Sequence, residues 1–270
     1  MSARHPRHSI ERRLGRRRSG GRNARVGGLA LLLTLTSAYG LILGQSARSA
    51  AATSPAFVQQ VSGHSGSVSS LALTPGASLG AGNRLVVEVG VWGSANATAK
   101  SVTDTAGDSF AELTHFSAAD GTEMSVWSAP ITAGAGTKST ITVTPSAKAD
   151  VGATALEYSG LSTTAGTAAV DQMAHATGQT AATAATVASG PTPAATAGNE
   201  LALGFYVDSG FGDTLSAGSG FTARVNVSPV GDMELFAEDQ PVASGATPNA
   251  SVKTGTHTYW DMATIVFKSG

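Results

Sequence analysis

Apolar residues recur at every second position in short runs after residue 53, and the clearest run covers 85–92. The odd positions of this run are all apolar, whereas the even positions include Glu88 and Gly90. A period of two is typical of a β-strand with one face in the core. We therefore predict a strand whose odd positions point inward and whose opposite, outer face carries Glu88.

Further strand patterns follow along the chain, separated by clusters of Gly, Pro, Asn, Asp and Ser. They cover 68–73, 124–129, 139–144, 151–158, 201–208, 233–238 and 258–267. The alanine-rich stretch 174–189 has helix propensity but lacks an apolar stripe, so we predict it to be extended or a loop. These patterns predict an all-β protein.

The sequence also contains an internal repeat. Gly82-Asn83-Arg84-Leu85 recurs as Gly198-Asn199-Glu200-Leu201, 116 residues later, which makes Val87 and Leu203 equivalent inward positions. The motifs at 106–110, 124–127 and 156–158 have counterparts at 217–221, 233–236 and 265–267. We predict two pseudo-repeats, about 57–161 and 170–268.

Neither repeat alone would bury its apolar face well, which favours one sandwich built from both. We predict that 53–270 form a single antiparallel, jelly-roll-like β-sandwich of about eight to ten strands. Two independent small β-domains are the alternative. Only the stretch 160–190 resembles a linker between them.

Composition and charge narrow the function. The chain has no cysteine, which excludes disulfides, thiolate zinc sites and cysteine nucleophiles. Residues 53–270 contain 7 basic and 17 acidic residues, a formal net charge of −10. This charge argues against nucleic-acid binding, which depends on neutralising phosphates with cations.

The first 52 residues have the three parts of a secretory signal peptide. Nine arginines lie within the first 25 residues, an apolar run covers 26–43, and small residues precede Ala52. We predict cleavage after Ala52. An uncleaved signal anchor is the alternative, and only then would the chain hold to a membrane. Both interpretations place 53–270 outside the cytoplasm, as a secreted or cell-surface protein.

Catalytic signatures are weak, and we predict no catalytic residue. Gly63-His64-Ser65-Gly66 resembles a nucleophile elbow, but Ser67 stands where the second glycine is needed. The close carboxylates Glu234, Glu238 and Asp239 keep a two-acid glycoside hydrolase as an alternative.

Four aspartates are candidate metal ligands. Asp104 and Asp108 flank one glycine turn, and Asp208 and Asp213 flank another. Calcium is the ion that such oxygen donors suit, although ordinary turns use the same residues. The pattern does not require a cofactor.

Three aromatic residues are candidate ligand-binding residues. If the odd positions of 85–91 point inward, Trp92 points outward, and the same alternation turns Trp127 and Tyr206 outward. An outward ring can stack on the face of a sugar, but it can also be covered by a loop. A polysaccharide or cell-wall polymer is the predicted partner.

An ordered series of motifs resembles a β-sandwich module common in bacterial secreted and cell-surface proteins. The resemblance covers roughly 57–268. Its motifs are Gly82-Asn83 with Leu85-Val86-Val87, the segment 101–108, Glu157-Tyr158-Ser159-Gly160-Leu161, Asp171, the segment 218–222 and Ala237-Glu238-Asp239-Gln240. It implies a jelly-roll-like sandwich outside the cell, without an established catalytic activity.

Three functions therefore remain open. The first is a non-catalytic surface module that binds a glycan or another extracellular polymer. The second is a structural or adhesive surface protein that acts by assembly. The third is the secreted glycoside hydrolase. Fold alone does not decide among them.

Overall fold

Antiparallel β-structure makes up nearly all the regular structure of the protein. The computed structural model describes residues 53–93 and 95–270, so the predicted signal or anchor segment 1–52 lies outside the described residues. No helix in the described part is long and apolar enough to cross a membrane. The all-β prediction is confirmed.

The first eight strands form two sheets, which we call the first half. They are β1 (Ala56–Val68), β2 (Leu71–Leu73), β3 (Arg84–Trp92), β4 (Ala99–Asp104), β5 (Ala111–Ser117), β6 (Glu123–Pro130), β7 (Ile141–Pro145) and β8 (Ala149–Ser159). A five-stranded sheet has the order β1-β8-β3-β6-β5, and a three-stranded sheet has the order β2-β7-β4.

The last eight strands form the second half, after one turn of 3-10 helix at Gly166–Ala169. They are β9 (Val170–Gln179), β10 (Ala185–Ala188), β11 (Glu200–Asp208), β12 (Ser216–Ala217), β13 (Thr222–Val227), β14 (Glu234–Val242), β15 (Ser251–Thr254) and β16 (Tyr259–Phe267). Their sheets have the orders β13-β14-β11-β16-β9 and β10-β15-β12.

The two halves have the same strand order, since adding eight to each strand number of the first half gives the second. The described residues thus form sixteen strands, and the predicted total of eight to ten is wrong. The strands without a predicted pattern belong equally to both kinds of sheet: β1, β5, β9 and β13 to the five-stranded sheets, and β4, β10, β12 and β15 to the three-stranded ones. Among them, β12, with two residues, is too short to show a period of two.

Three layers of apolar side chains separate the four sheets. A central core lies between the two five-stranded sheets and includes Met124, Leu156, Phe205, Leu235 and Phe267. A first-half core lies between β3, β6 and β8 and the sheet β2-β7-β4. A corresponding second-half core lies under β10, β12 and β15. The central strands of each five-stranded sheet are therefore covered on both faces.

Burial on both faces corrects the predicted orientation of β3. Val87 lies in the first-half core, whereas Val86 lies in the central core, and both are fully buried. Glu88 shares the face of Val86 and is also fully buried, so the predicted outer, accessible position of Glu88 is wrong. One acidic residue interrupted the apolar run and gave it the pattern of a half-exposed strand.

The predicted equivalence of Val87 and Leu203 is also wrong. Both are buried, but Leu203 lies in the central core and Val87 in the first-half core. A spacing of 116 residues therefore matches opposite faces of β3 and β11. Gly82 and Asn199, which lie 117 residues apart, both have left-handed backbone, with φ of 76° and 61°. The matching turns thus differ by one residue from the sequence alignment.

Arg84 fixes the connection between the halves. Its side chain is fully buried, and its Nε donates to the carbonyl oxygen of Ser162 at 2.7 Å. The same guanidinium also donates to the carbonyl oxygen of Thr164 and to the hydroxyl of Ser128. Desolvation lowers the pKa of Arg84 to about 10, which still leaves it charged at neutral pH. The start of the connection is therefore held against β3.

Candidate functional site

Trp92, the last residue of β3, has an exposed ring at one end of the molecule. Its relative exposure is 38%, and its indole Nε1–H donates to the carbonyl oxygen of Asp120 at 3.3 Å. Its cross-strand neighbour on β8 is Asp150. Because the strand ends here, the ring escapes the cover that buries the rest of β3.

Loops from both halves meet beside Trp92. The Ser209 hydroxyl donates to Asp120 at 3.1 Å, and His64 Nδ1 lies 2.7 Å from an Asp232 carboxylate oxygen. These contacts place the start of the 209–213 loop and the 228–233 loop near the end of β3. A Cβ at Gly210, where φ is +96°, would overlap the Asp232 backbone, so a glycine allows this close approach.

Apolar side chains are concentrated on these loops. Four large hydrophobic residues of the described chain are exposed, and three of them, Trp92, Phe211 and Val230, lie on the segments just described. Phe211 and Val230 pair through an isolated β-bridge. We call this surface the Trp92 end. Phe211 and Val230 are neighbours, and hydrogen bonds connect the start of the Phe211 loop to Asp120, which accepts the Trp92 indole N–H.

Two shallow depressions flank the ring of Trp92. One, of about 200 Å³, is lined by Trp92 itself together with Ser67, Lys148 and Asp150. The other, of about 400 Å³, lies beside Asp120, the residue whose carbonyl oxygen accepts the indole proton, and includes Asn96. The ring is thus bordered on two sides by groups that donate and accept hydrogen bonds.

The other two predicted aromatic residues lie elsewhere. Trp127 is half-buried against the first-half core, and its indole nitrogen donates to the Ser125 hydroxyl at 3.0 Å. Tyr206 is fully buried in the second-half core, so its predicted outward position is wrong. The sheet β10-β15-β12 covers the face of β11 that alternation alone would expose. The structure therefore does not bring Trp92, Trp127 and Tyr206 together.

At the end of β11, two of the predicted metal ligands meet a third acid. Carboxylate oxygens of Asp208, Asp213 and Glu234 all lie within 4.8 Å of one another. We call these three residues the acid cluster. Sequence analysis considered Glu234 only as half of a catalytic pair, because its contact with Asp208 comes from the pairing of β11 with β14.

Glu234 orders the loop that follows β11. Its Oε2 accepts the backbone N–H groups of Phe211 and Gly212 at 2.8 and 3.0 Å, and its Oε1 accepts that of Asp213 at 2.9 Å. The Ser228 hydroxyl also donates to Oε1. A carboxylate that accepts several backbone N–H bonds is well stabilised in its charged form.

Asp208, the second acid of the acid cluster, is in a site that disfavours its charged form. Burial, followed by its hydrogen bond to Glu234, raises the pKa of Asp208 well above its usual range. Its oxygens also accept the Tyr206 hydroxyl at 2.7 Å and the backbone N–H of Gly210 at 2.7 Å. The neighbouring Glu234 therefore favours the protonated form of Asp208.

The donor set of the acid cluster has the oxygen chemistry of a calcium site, but N–H and O–H donors already point at it. Asp213 Oδ2 accepts the hydroxyls of Thr254 and Thr258 and the backbone N–H of Gly255. These donors place partial positive charge where a cation would bind. Calcium at this cluster therefore stays a prediction, and ordering of loops is the role that the observed contacts favour.

Asp104 and Asp108 lie in a separate loop of the first half. Asp104 Oδ1 accepts the backbone N–H groups of Gly107 and Asp108, and Asp108 accepts those of three residues from Thr132 to Gly134. Hydrogen bonds from Thr132, Ala133 and Gly134 lower the pKa of Asp108, although burial opposes them. The structure therefore does not bring the four predicted aspartates together.

The close acids on β14 also have structural partners. Glu238 accepts two backbone N–H groups, and burial raises its pKa to about 7. Asp239 forms a bidentate ion pair with Arg224, at 2.7 and 3.0 Å, and accepts the hydroxyl of Tyr158 at 2.9 Å. Glu234, Glu238 and Asp239 thus each hold a different part of the fold.

Sequence analysis missed two buried acids, Glu88 and Asp261. Both are fully buried, and their carboxyl oxygens have no hydrogen bond of good geometry among the described residues. The backbone groups of Tyr206, beside Glu88, and of Ala118, beside Asp261, oppose the effect of burial only in part. Burial raises the pKa of Glu88 well above its usual range and that of Asp261 to about 8. These two acids differ from surface acids only because their strands are covered on both faces. The sequence pattern of a single chain does not show that cover.

The chain was compared with known proteins in three ways. No family model, no curated protein and no solved structure matches it. The resemblance to a module of bacterial secreted proteins therefore rests on the sequence motifs alone. Function has to be inferred from the Trp92 end and from the buried acids.

Proposed function

We propose that 53–270 act as a non-catalytic module outside the cytoplasm that binds a glycan or another extracellular polymer. The proposal includes export by the segment 1–52 and a duplicated, jelly-roll-like sandwich. The shared strand order of the two halves supports the duplication. The arginine block and apolar run of 1–52 support export.

The exposed ring of Trp92 carries this proposal. Sugar rings present apolar C–H faces that stack on flat aromatic side chains, and their hydroxyls need hydrogen-bond partners around that contact. Trp92 offers the ring, while Ser67, Lys148 and Asp150 lie in the depression on one side of it. Phe211, 41% exposed on a neighbouring loop, could extend the contact along a polymer.

Charge selects among polymers. Residues 53–270 carry a formal net charge of −10, which disfavours the binding of polyanions. Neutral or amino sugar polymers are therefore the proposed ligands.

Retention of the full chain on insoluble chitin and cellulose tests this proposal, with alginate as a polyanionic control. Trp92→Ala should lose most retention, whereas Trp92→Phe should keep a part of it because a smaller ring still stacks. Phe211→Ala is the matched variant, because it removes another exposed ring on a neighbouring loop. It should reduce retention less than Trp92→Ala does. Equal retention of the parent chain and Trp92→Ala would reject Trp92 as the binding residue.

One observation favours the alternative of a structural protein that acts by assembly. β9 is an outer strand of its sheet, pairs only with β16, and contains neither lysine, arginine nor proline. Natural proteins usually protect long outer strands with such residues, because unpaired backbone groups invite a second chain. In this alternative, β9 pairs with β9 of another copy.

Light scattering of the full chain and of Thr177→Lys distinguishes the two proposals. Thr177 is exposed on β9, so a lysine there should block edge pairing and convert an assembly to monomers. Thr163→Lys, in an exposed loop position, is the matched control. A parent chain that is monomeric at all concentrations would reject assembly through β9.

A further inference from the structure

A small cavity on the first half contains two glutamates and a histidine. It measures about 210 Å³ and is lined by Thr98, Ala99, Glu112, His115 and Glu123. Glu112 and His115 lie on β5, Glu123 begins β6, and the other two residues lie at the start of β4. The three-stranded sheet is narrower than the five-stranded sheet, so part of β5 and β6 is open to solvent here.

A β-bulge places Glu112 and His115 on the same face. Residues three apart on a regular strand point to opposite faces. The register between β5 and β6 shifts between Glu112 and Thr114, so Glu112 lies opposite Trp127 and His115 lies opposite Ser125. His115 Nδ1 is consequently only 2.8 Å from Glu112 Oε1. Bulges of this kind re-aim side chains next to functional sites.

Glu123 brings an unsatisfied carboxylate oxygen to the same cavity. The residue is 1% exposed, its Oε2 accepts the backbone N–H of Ala99 at 3.1 Å, and its Oε1 has no hydrogen-bond partner among the described residues. An unpaired buried carboxylate oxygen is costly, and a cation is one of the few groups that can compensate it. Glu112 and Glu123 also repel each other when both are charged, and neither a lysine nor an arginine lines the cavity.

We propose that Glu112, His115 and Glu123 bind a divalent transition-metal ion, of which Zn²⁺ is the representative. Zn²⁺ prefers imidazole nitrogen and carboxylate oxygen at about 2.0–2.2 Å, and three protein ligands leave its fourth position to water. A site with an imidazole ligand does not suit calcium, because calcium is bound by oxygen ligands. The three ligands are different from the residues of the Trp92 end and of the acid cluster, although Thr98 lines both this cavity and the depression beside Asp120.

The required movements are small for two of the ligands. Two tetrahedral ligands at about 2.0 Å from zinc lie about 3.3 Å apart, so His115 and Glu112 would separate by about half an ångström. The His115 side chain is 65% exposed and can adjust freely. Glu123 has to move farther, because the ligand atoms of these three residues do not all lie within 4.8 Å of one another as those of the acid cluster do. Its free oxygen has to turn toward the imidazole, across a diagonal that long side chains span between neighbouring strands.

Zinc titration of the metal-free full chain by calorimetry tests the site, with Co²⁺ absorption as a report on geometry. We expect one ion at this site, and His115→Ala and Glu123→Gln should each weaken its binding about tenfold or more. His257→Asn, at an exposed histidine outside the cavity, should leave binding unchanged. Histidines in 1–52 are replaced in a common background, so that they do not add a second site.

Thermal melting without metal shows whether each variant folds. A folded Glu123→Gln chain that binds zinc as tightly as the parent would overturn the proposal. The absence of zinc binding by the parent chain would overturn it too, and Glu112 and His115 would then form a plain surface ion pair. Loss of binding in His257→Asn would place the ion elsewhere and would equally contradict the site.

Discussion

The central strands β3 and β11 occupy the same place in two sheets of the same strand order, yet their ends differ in chemistry. β3 ends in Trp92, whose ring is exposed, and β11 ends in Asp208, whose carboxyl is fully buried. One end offers a ring to solvent, and the other uses its polar groups to hold loops. The shared strand order therefore does not give the two strand ends the same chemistry, and Trp92 and Asp208 are not equivalent positions, because a spacing of 116 residues matches opposite faces of β3 and β11.

The same contrast applies inside the central core. β3 contributes Glu88 to it, whereas β11 contributes only apolar side chains such as Leu203 and Phe205. A buried carboxyl whose pKa is raised thus lies on the central-core face of β3, whereas the corresponding face of β11 is apolar. Both central strands contain a buried acid with a raised pKa, Glu88 on β3 and Asp208 on β11, but only β3 places such an acid on the face of the central core.

Glu234→Ala should have the largest effect on stability. Truncation leaves three backbone N–H groups and the Ser228 hydroxyl without their acceptor beside the end of β11. Unsatisfied groups of this kind cost about 1–3 kcal/mol each, so we expect a loss of roughly 3–5 kcal/mol in the free energy of unfolding by urea. A loss below about 1 kcal/mol would show that the acid cluster does not hold this loop.

Glu88→Gln should remove the contribution of Glu88 to the pH dependence of stability. The folded-state pKa of Glu88 is raised by burial, so between its unfolded and folded pKa values only the folded chain keeps the proton. Stability of the parent then falls as pH rises above about 4.5, by about 1.4 kcal/mol per pH unit for this one group. The glutamine variant lacks this dependence and should become more stable than the parent toward neutral pH.

Urea unfolding of both chains from pH 4 to pH 8 measures this difference. Other acids with raised pKa values, such as Asp261, titrate in both chains and cancel in the comparison. A difference that stays constant across the range would mean that Glu88 is solvated or paired.

Tyr206→Phe should cost about 1–2 kcal/mol, because it removes a hydroxyl that is 2.7 Å from Asp208 and 2.6 Å from Thr254 in a buried site. Trp92→Phe, the matched change at the end of β3, should cost well under about 1 kcal/mol. Chemical denaturation compares the two variants. Equal losses would remove the distinction between the two strand ends.

Calcium should have the smallest effect. N–H and O–H donors occupy the oxygens of the acid cluster, so adding calcium should leave the melting temperature nearly unchanged. A rise of several degrees that a chelator removes would instead establish a calcium site there. In that case Asp208→Asn should abolish the rise, whereas Asp104→Asn, in the other aspartate loop, should not.

The sequence predicts β3 well as a strand, because its alternating residues match the pleat. Its surroundings were not predictable, since a strand covered on both faces and interrupted by Glu88 has the same pattern as a half-exposed strand. The buried position of Tyr206 was missed for the same reason. β12, with two residues, is too short for any period to show.

For the candidate sites, the sequence pattern could group only residues that are close together along the chain. Asp208 and Asp213 were recognised because they flank one turn, but Glu234 joins them through strand pairing. Likewise, the cavity with Glu112 and His115 depends on a bulge that the sequence does not mark. The exposure of Trp92 was predicted from alternation, and the structure supports it because β3 ends there.

Polysaccharide retention and unfolding of the same Trp92→Ala preparation test the proposed function most directly. If Trp92 binds the polymer, the Trp92→Ala chain should lose most of its retention on chitin or cellulose. Its free energy of unfolding should change by less than about 1 kcal/mol. A loss of about 3 kcal/mol or more would identify the ring as part of the core. Undiminished retention would contradict the account by moving recognition away from the Trp92 end.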